Sequence, residues 1–382
     1  MSTAEKELNV LEYYLDEVEN DHYRSLKNEQ FEELEEDDDA VEAAEVKFEN
    51  RRDESQHSKK VRTTLMAAFL RNGPLERVTN WEFKRLFPLR TLDIDSADVL
   101  IGNQTDGAIL LIIILPLRQT PDTGVSKAAE MMQGIRDNNS TLSDDIGLDF
   151  HNDRIQTAVA IEPERSSDTA TAIEDYEDSL HSPERFYVWQ VAGPQGEKIK
   201  VYTDFPDNSG ADRNHEGQLG NELSKGAEII DSPHVLPDFF YDTHHSLLLE
   251  HTIPKMASNR VDTDIPNTHF SKQELLDYYR DTLHGPDSAH KASQLSGRVI
   301  RLWKYLDLLA EVSSGDDQIE DGSTVYRFKS RKRNPDSIYD DLSEEYEDQS
   351  ITFLLEVDAM EDVIEQYQDD SGVQADLGEF LG

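Results

Sequence analysis

Four groups of side chains have types and spacings that could do chemistry. Asp98 stands just before the apolar stretch 99–102, and Asp106 lies in the Asn-Gln-Thr-Asp-Gly turn that follows it. Carboxylates on neighbouring strands are oxygen donors for a hard cation such as magnesium. His234, His244, His245 and His251 cluster with Asp238, Asp242 and Glu250, a donor set for a transition metal. No HExxH spacing occurs among them, and adjacent histidines face opposite ways along a strand, so no metal site is expected there. Lys291, Arg298, Arg301 and Lys304 fall in a stretch with helical periodicity; Arg327, Lys329, Arg331, Lys332 and Arg333 lie in and behind an alternating one. Cations in such rows pair with phosphates. Lys59, Lys60, Arg62, Lys84 and Arg85 form a second basic patch, interleaved further on with Trp81, Phe83 and Phe87. Those rings can stack on bases, or form core with Lys84 and Arg85 outside it.

The elements that must position these groups can be read from periodicity. Val299, Trp303 and Leu306 recur at helical spacing, and steps of three put Arg298, Arg301 and Lys304 together on another face. Residues 308–312 and 324–328 read as strands around a turn at 314–317. Upstream, Ser271-Lys272-Gln273-Glu274 is a capping box opening a helix over 275–283, and 288–295 reads as a short second helix. The span 108–117 has no polar residue and reads as a buried central strand. Around it, 99–102, 156–161, 185–191 and 198–203 read as strands and 125–137 and 169–180 as helices, an α/β arrangement. Asn80 is expected to cap a helix start. Pro and Gly interrupt 206–265, which reads as a loop-rich linker with a short strand at 247–250. The tail is expected to hold a strand at 351–356 and a helix at 360–367. The expected fold class is therefore α/β: an N-terminal acidic helical extension (1–50), a mixed-sheet α/β core (51–205), the linker (206–265), a C-terminal module (266–334) and an acidic segment (335–382).

Helix, helix, helix, strand, turn, strand and basic tip over 271–334 resembles the winged-helix family. The resemblance implies that the helix carrying Arg298, Arg301 and Lys304 enters the major groove while the basic residues at 327–333 touch phosphates. The layout around Asp98 and the 108–117 strand resembles the restriction-endonuclease-like fold, in which an acid on one strand and a Glu-x-Lys on the next hold magnesium and activate water. Here Asp98 would be the acid, but the Glu-x-Lys positions fall near Ile114 and Pro116, which cannot do that chemistry. The resemblance thus implies a core without catalysis, kept for binding.

Charge sharpens these expectations. The chain has 382 residues with 80 acidic against 37 basic, a net charge of −43. Residues 1–50 carry 18 acidic and 4 basic residues, whereas 51–90 carry ten basic and four acidic. A hydrophobic content of 36% is enough for real cores, so the acidity resembles that of proteins from halophilic archaea or their mobile elements. In molar salt the screening length falls to roughly 3 Å, so only short-range contacts select a partner. There is no cysteine, which excludes disulfides and thiolate chemistry. P-loop, Rossmann and Gly-x-Ser-x-Gly patterns are missing. The start MSTAEKEL is no signal peptide and no apolar run spans a bilayer; a cytoplasmic protein without a membrane partner is expected. The expected function is binding of double-stranded DNA, in transcription regulation or DNA maintenance, with no catalytic residue and no cofactor. Two alternatives stay open: a magnesium-dependent nuclease using Asp98 and Asp106, with Asp93, Asp95 or Glu162 as further candidates, and a protein-interaction subunit that pairs with a second copy of the chain.

Overall fold

The computed structural model describes residues 21–86, 98–179, 186–192, 198–205, 214–229, 239–258, 268–283, 288–312, 324–332 and 334–371. The chain divides into two units, one formed by Met1–Gln56 with Asp238–Gly382 and the other by His57–Pro237. We call them the split unit and the central unit. Two helices begin the described chain, α1 (Asp21–Glu35) and α2 (Asp38–Phe69). The first 20 residues of the expected helical extension lie outside the described residues. Lys59, Lys60 and Arg62 sit inside α2.

The central unit is an α/β layer structure. After the short α3 (Glu76–Thr79) come strands β1 (Glu82–Leu86), β2 (Val99–Asn103) and β3 (Ala108–Ile114), helices α4 (Pro121–Asp137) and α5 (Asn139–Ile146), and β4 (Ile155–Ile161). Then follow α6 (Ser166–Ser179), β5 (Phe186–Ala192), β6 (Lys198–Tyr202), α7 (Gly217–Lys225) and β7 (Ala227–Glu228). The seven strands form one mixed sheet in sequence order. β3, β4 and β5 run parallel and every other pairing is antiparallel. Asn80 ends α3 in a left-handed conformation (φ 59°) instead of starting a helix. The sheet's two faces are both covered, which is why β3 is apolar throughout. Leu100, Ile109, Leu111, Ile113 and Val159 pack with Val125, Met132, Ile135 and Ile173 of α4 and α6. Their neighbours Val99, Ile101, Leu110, Ile112 and Ala160 pack on the other side with Val61, Leu65, Phe69, Leu219 and Leu223.

The split unit contains α8 (His245–Ser258), β8 (His269–Ser271), α9 (Lys272–Thr282), α10 (Ser288–Tyr305), β9 (Leu309–Val312), β10 (Val325–Phe328) and α11 (Pro335–Ser371), besides α1 and the start of α2. β8, β10 and β9 make an antiparallel sheet in that order. One core joins all of these elements: Phe48 from α2, Leu248 and Ile253 from α8, Trp303 from α10, Phe328 from β10 and Leu342 from α11. The acidic segments read as separate ends of the chain therefore share this core with residues 266–334.

Three further expectations are corrected here. The interrupted stretch 206–265 holds α7, β7 and α8, and 247–250 is helical. Pro254 lies inside α8, where burial of Leu247, Leu248, Leu249, Ile253, Met256 and Ala257 outweighs one missing backbone bond. The expected strand at 351–356 and helix at 360–367 are parts of one 37-residue helix, because Ile338, Leu342, Tyr346, Phe353, Val357, Met360 and Ile364 recur at helical spacing. The short helix expected at 288–295 is continuous with the next, as α10.

Candidate nucleic-acid interface

The path from β8 to β10 is built from strong local signals. Ser271 caps α9: its hydroxyl accepts from the Glu274 N–H at 3.1 Å, and the Glu274 carboxylate accepts from the Ser271 N–H at 2.7 Å. α10 closes on Asp307 in the left-handed region (φ 58°). There the Leu308 N–H donates to the Trp303 carbonyl at 2.9 Å and the Asp307 N–H to that of Lys304 at 3.2 Å, the paired bonds of a Schellman stop. β9 then starts at once beneath the helix, and Phe328 of β10 packs against Trp303.

α10 has an apolar face and a polar one. Leu295, Val299, Leu302 and Trp303 are buried, while His290, Ser293, Gln294 and Lys304 are exposed and Gly297 and Arg301 are half-buried. Steps of three and four align these last six residues in one stripe along the helix. Lys291 flanks it, half-buried. Arg298 does not share that face. It is 4% exposed, its Nη2 donates to the Tyr241 carbonyl at 2.7 Å, and its guanidinium lies 4.9 Å from the centre of the Tyr241 ring. That is a correction to the expected row of Arg298, Arg301 and Lys304, because steps of three drift around a 3.6-residue helix and the first of the row turns toward α8. Tyr241 also donates its hydroxyl to Gln294 at 3.3 Å. Ser293, Gln294 and Tyr241 were not singled out from sequence; stepping back from Lys304 by three and four would have found the first two.

The other expected cations follow β10. Arg327, Lys329, Arg331 and Lys332 are all exposed; Arg333 lies outside the described residues. Lys329 makes an ion pair with Asp307, and Lys304 one with Glu311 at 3.3 Å. A cleft lined by Lys329, Arg331 and Lys332 also holds Asp307, Asp341 and Glu345.

The second basic patch is not assembled as a surface. Arg62 is buried and donates through Nε and Nη2 to Asp98 Oδ1 at 3.1 and 2.6 Å. Arg85 is buried and ion-paired with Asp145. A bulge between Phe83 and Arg85 re-aims the side chains of β1. Lys84 pairs with Glu82 at 2.7 Å, and Lys59 and Lys60 are half-buried. Trp81 is buried, as its core reading required.

The carboxylates do not form a metal pair. Asp98 is 8% exposed, and besides Arg62 it takes the Ile114 N–H on its other oxygen at 2.9 Å. Asp106 is exposed at the far end of β2, accepting from Asn103 at 2.8 Å. The expectation that Asp98 and Asp106 act together is corrected by the length of that strand. Glu162 follows β4 at the same end of the sheet as Asp98 and faces His57 at 3.6 Å. Asp93 and Asp95 lie outside the described residues. Among the described residues no group of three or more side chains could hold a metal ion, and no helix is long and apolar enough to cross a membrane.

His245 is buried, and His244 and His251 are half-buried. His244 is pushed down to about 4, by burial first and then by Arg51 and Arg52. His245 is pushed well down by burial and by the Arg298 charge. His251 lies against the Phe239 ring, and His234 is outside the described residues. In the central unit, His215 accepts from the Trp189 indole N–H at 2.8 Å and faces Gln156 at 3.0 Å; burial holds it down at about 3.

Comparison of the chain with protein-family models found no match, and comparisons with curated proteins and with solved structures found none either.

Proposed function

We propose that the protein binds double-stranded DNA through a winged helix in the split unit, on a non-catalytic central unit of restriction-endonuclease-like topology. In this reading α8, α9 and α10 are the three helices, β8, β9 and β10 the sheet, and the polar stripe of α10 enters the major groove. The observation that carries it is that stripe. His290, Ser293, Gln294, Arg301 and Lys304 give one helix face the donors and acceptors that base edges require, and the cations 327–332 follow on the strand that packs beside the helix. The order of elements and the sheet order β8-β10-β9 support the same family.

Support for the platform is likewise topological: α2, the meander β1-β2-β3, α4 and then the parallel β4 follow the order of the nuclease core. Asp98 holds the acid position, with Arg62 where a metal would need an open carboxylate, and Ile112 and Ile114 opposite it are apolar. The composition fits a halophilic setting, and the role is regulation of transcription or maintenance of DNA.

The test is duplex binding by fluorescence anisotropy at several salt concentrations. Arg331→Ala with Lys332→Ala weakens all duplexes alike, as removal of phosphate-binding cations does. Arg301→Ala weakens a selected site more than random sequence. A wild-type protein that binds no duplex even near 50 mM salt overturns the reading, and plasmid cleavage with magnesium overturns the non-catalytic platform.

A further inference from the structure

The cleft behind β10 holds three cations and three carboxylates of the same unit. Lys329 is ion-paired with Asp307. The Ser330 hydroxyl donates to Asp341 Oδ2 at 2.6 Å and accepts from the Lys332 N–H at 3.1 Å, so the basic segment is tied to the first turns of α11. That helix contributes 14 acidic and no basic residues over Pro335–Ser371. Both partners are exposed, so this attraction acts through water and is screened by salt.

We propose that Asp307, Asp341 and Glu345 act as an internal substitute for phosphate, so that a polyanion binds here by exchange. A duplex arriving at Lys329, Arg331 and Lys332 displaces the carboxylates. The freed carboxylates then gather cations from solution while the duplex loses its own condensed cations. The two ion fluxes oppose each other. Three phosphate contacts alone give a slope of log affinity against log salt of about −3; uptake on three carboxylates flattens it toward zero. The cleft thus makes DNA binding tolerant of salt, at the cost of affinity when salt is low. This rests on the DNA-binding reading above.

The experiment measures duplex affinity from about 0.1 to about 1 M KCl for the wild type, for Asp341→Asn with Glu345→Gln, and for Arg331→Ala with Lys332→Ala. Both acidic positions are exposed, so their amides leave the core intact. The expected result is a shallow wild-type slope, and in the amide variant a slope steeper by one to two with affinity about tenfold higher at the lowest salt. An unchanged slope and affinity overturns the exchange while leaving DNA binding standing. So does a loss of affinity, which would make the carboxylates positioning groups for the cations. If no protein in the series binds duplex, or if the alanine pair binds as well as the wild type, the DNA reading of this face itself fails.

Discussion

The central unit and the split unit take positive charge from the two basic stretches of the sequence and use it in opposite ways. In the central unit Arg62 and Arg85 are both buried, Arg62 against the buried Asp98 and Arg85 reaching out to the exposed Asp145. In the split unit Lys304, Lys329, Arg331 and Lys332 stay exposed. A local excess of cations in sequence therefore says little about a positive surface. Carboxylates from other elements lie within reach of Lys304 and Lys329 too; what decides is whether burial of the apolar residues beside a cation carries it inward. Arg62 is two turns from the end of α2, flanked by buried Val61 and Leu65; packing those residues on the sheet carries the guanidinium in with them.

The comparison breaks most visibly at Asp98. Replacing it with alanine removes the carboxylate that Arg62 donates to inside the unit, and an uncompensated buried charge costs about 3–5 kcal/mol. Chemical denaturation followed by a probe in the central unit is expected to show that loss, with Arg62→Ala similar. A loss under about 1 kcal/mol would mean that the pair behaves as a surface contact. The two units would then not differ as described.

Acid separates the units next. A histidine whose folded-state pKa is depressed stays neutral in the fold while the unfolded chain takes up a proton. Its full contribution is present above the unfolded value and is lost as pH falls through the window below it. For His215 that window runs from 6.5 down to about 3, and for His244 from 6.5 to about 4. Each costs about 1.4 kcal/mol per pH unit inside its window. His215→Gln keeps an acceptor for Trp189 and removes the titration. The stability difference between wild type and variant is therefore expected to shrink or reverse by about 2–3 kcal/mol between pH 6.5 and 4.5. A pH-independent difference would place the imidazole in contact with water.

Much of the central unit was legible in sequence because its strands obey simple rules. A run without polar residues between turns, 108–114, can only be a strand covered on both faces, and the helices after it carry clean apolar stripes. The split unit was harder. Pro254 and the neighbouring histidines hid α8, and the β-branched and aromatic run at 351–355 hid the helical stripe that extends over the whole of α11. Its membership also depends on contacts between residues some three hundred positions apart, such as Lys27 with Glu356 at 2.9 Å, which no local pattern reveals. At the candidate interface Arg327 was legible as exposed because β10 alternates. Arg298 was not, because its inward turn depends on Tyr241, in a stretch without a periodic signal.

Gly297 sharpens the split unit's side of the comparison. It interrupts an 18-residue helix, α10, on the polar stripe, and a Cβ there would meet nothing within 4 Å. Nothing inside the described chain needs the gap. Gly297→Ala is expected to raise stability by about 0.5–1 kcal/mol through helix propensity. If the stripe faces a duplex, the added methyl enters the surface of closest approach, and duplex affinity falls about tenfold while the melting temperature rises. Affinity that stays level with rising stability would move the contact away from this part of α10.

The smallest effect on stability is expected at Lys304, and its smallness is the point. Its ammonium pairs with Glu311 at 3.3 Å with both side chains about half exposed, 46% and 54%, and such pairs contribute about 0.5 kcal/mol or less. Lys304→Ala should leave unfolding nearly unchanged, whereas Arg85→Ala in the central unit should cost more, because the buried Arg85 side chain leaves a gap while the exposed Asp145 returns to water. Duplex binding should rank the same two variants in reverse: Lys304→Ala weakens it and Arg85→Ala does not. Equal ranking in both assays would show that position in the sequence's basic stretches, and not the direction in which the fold turns each cation, governs what the charge does.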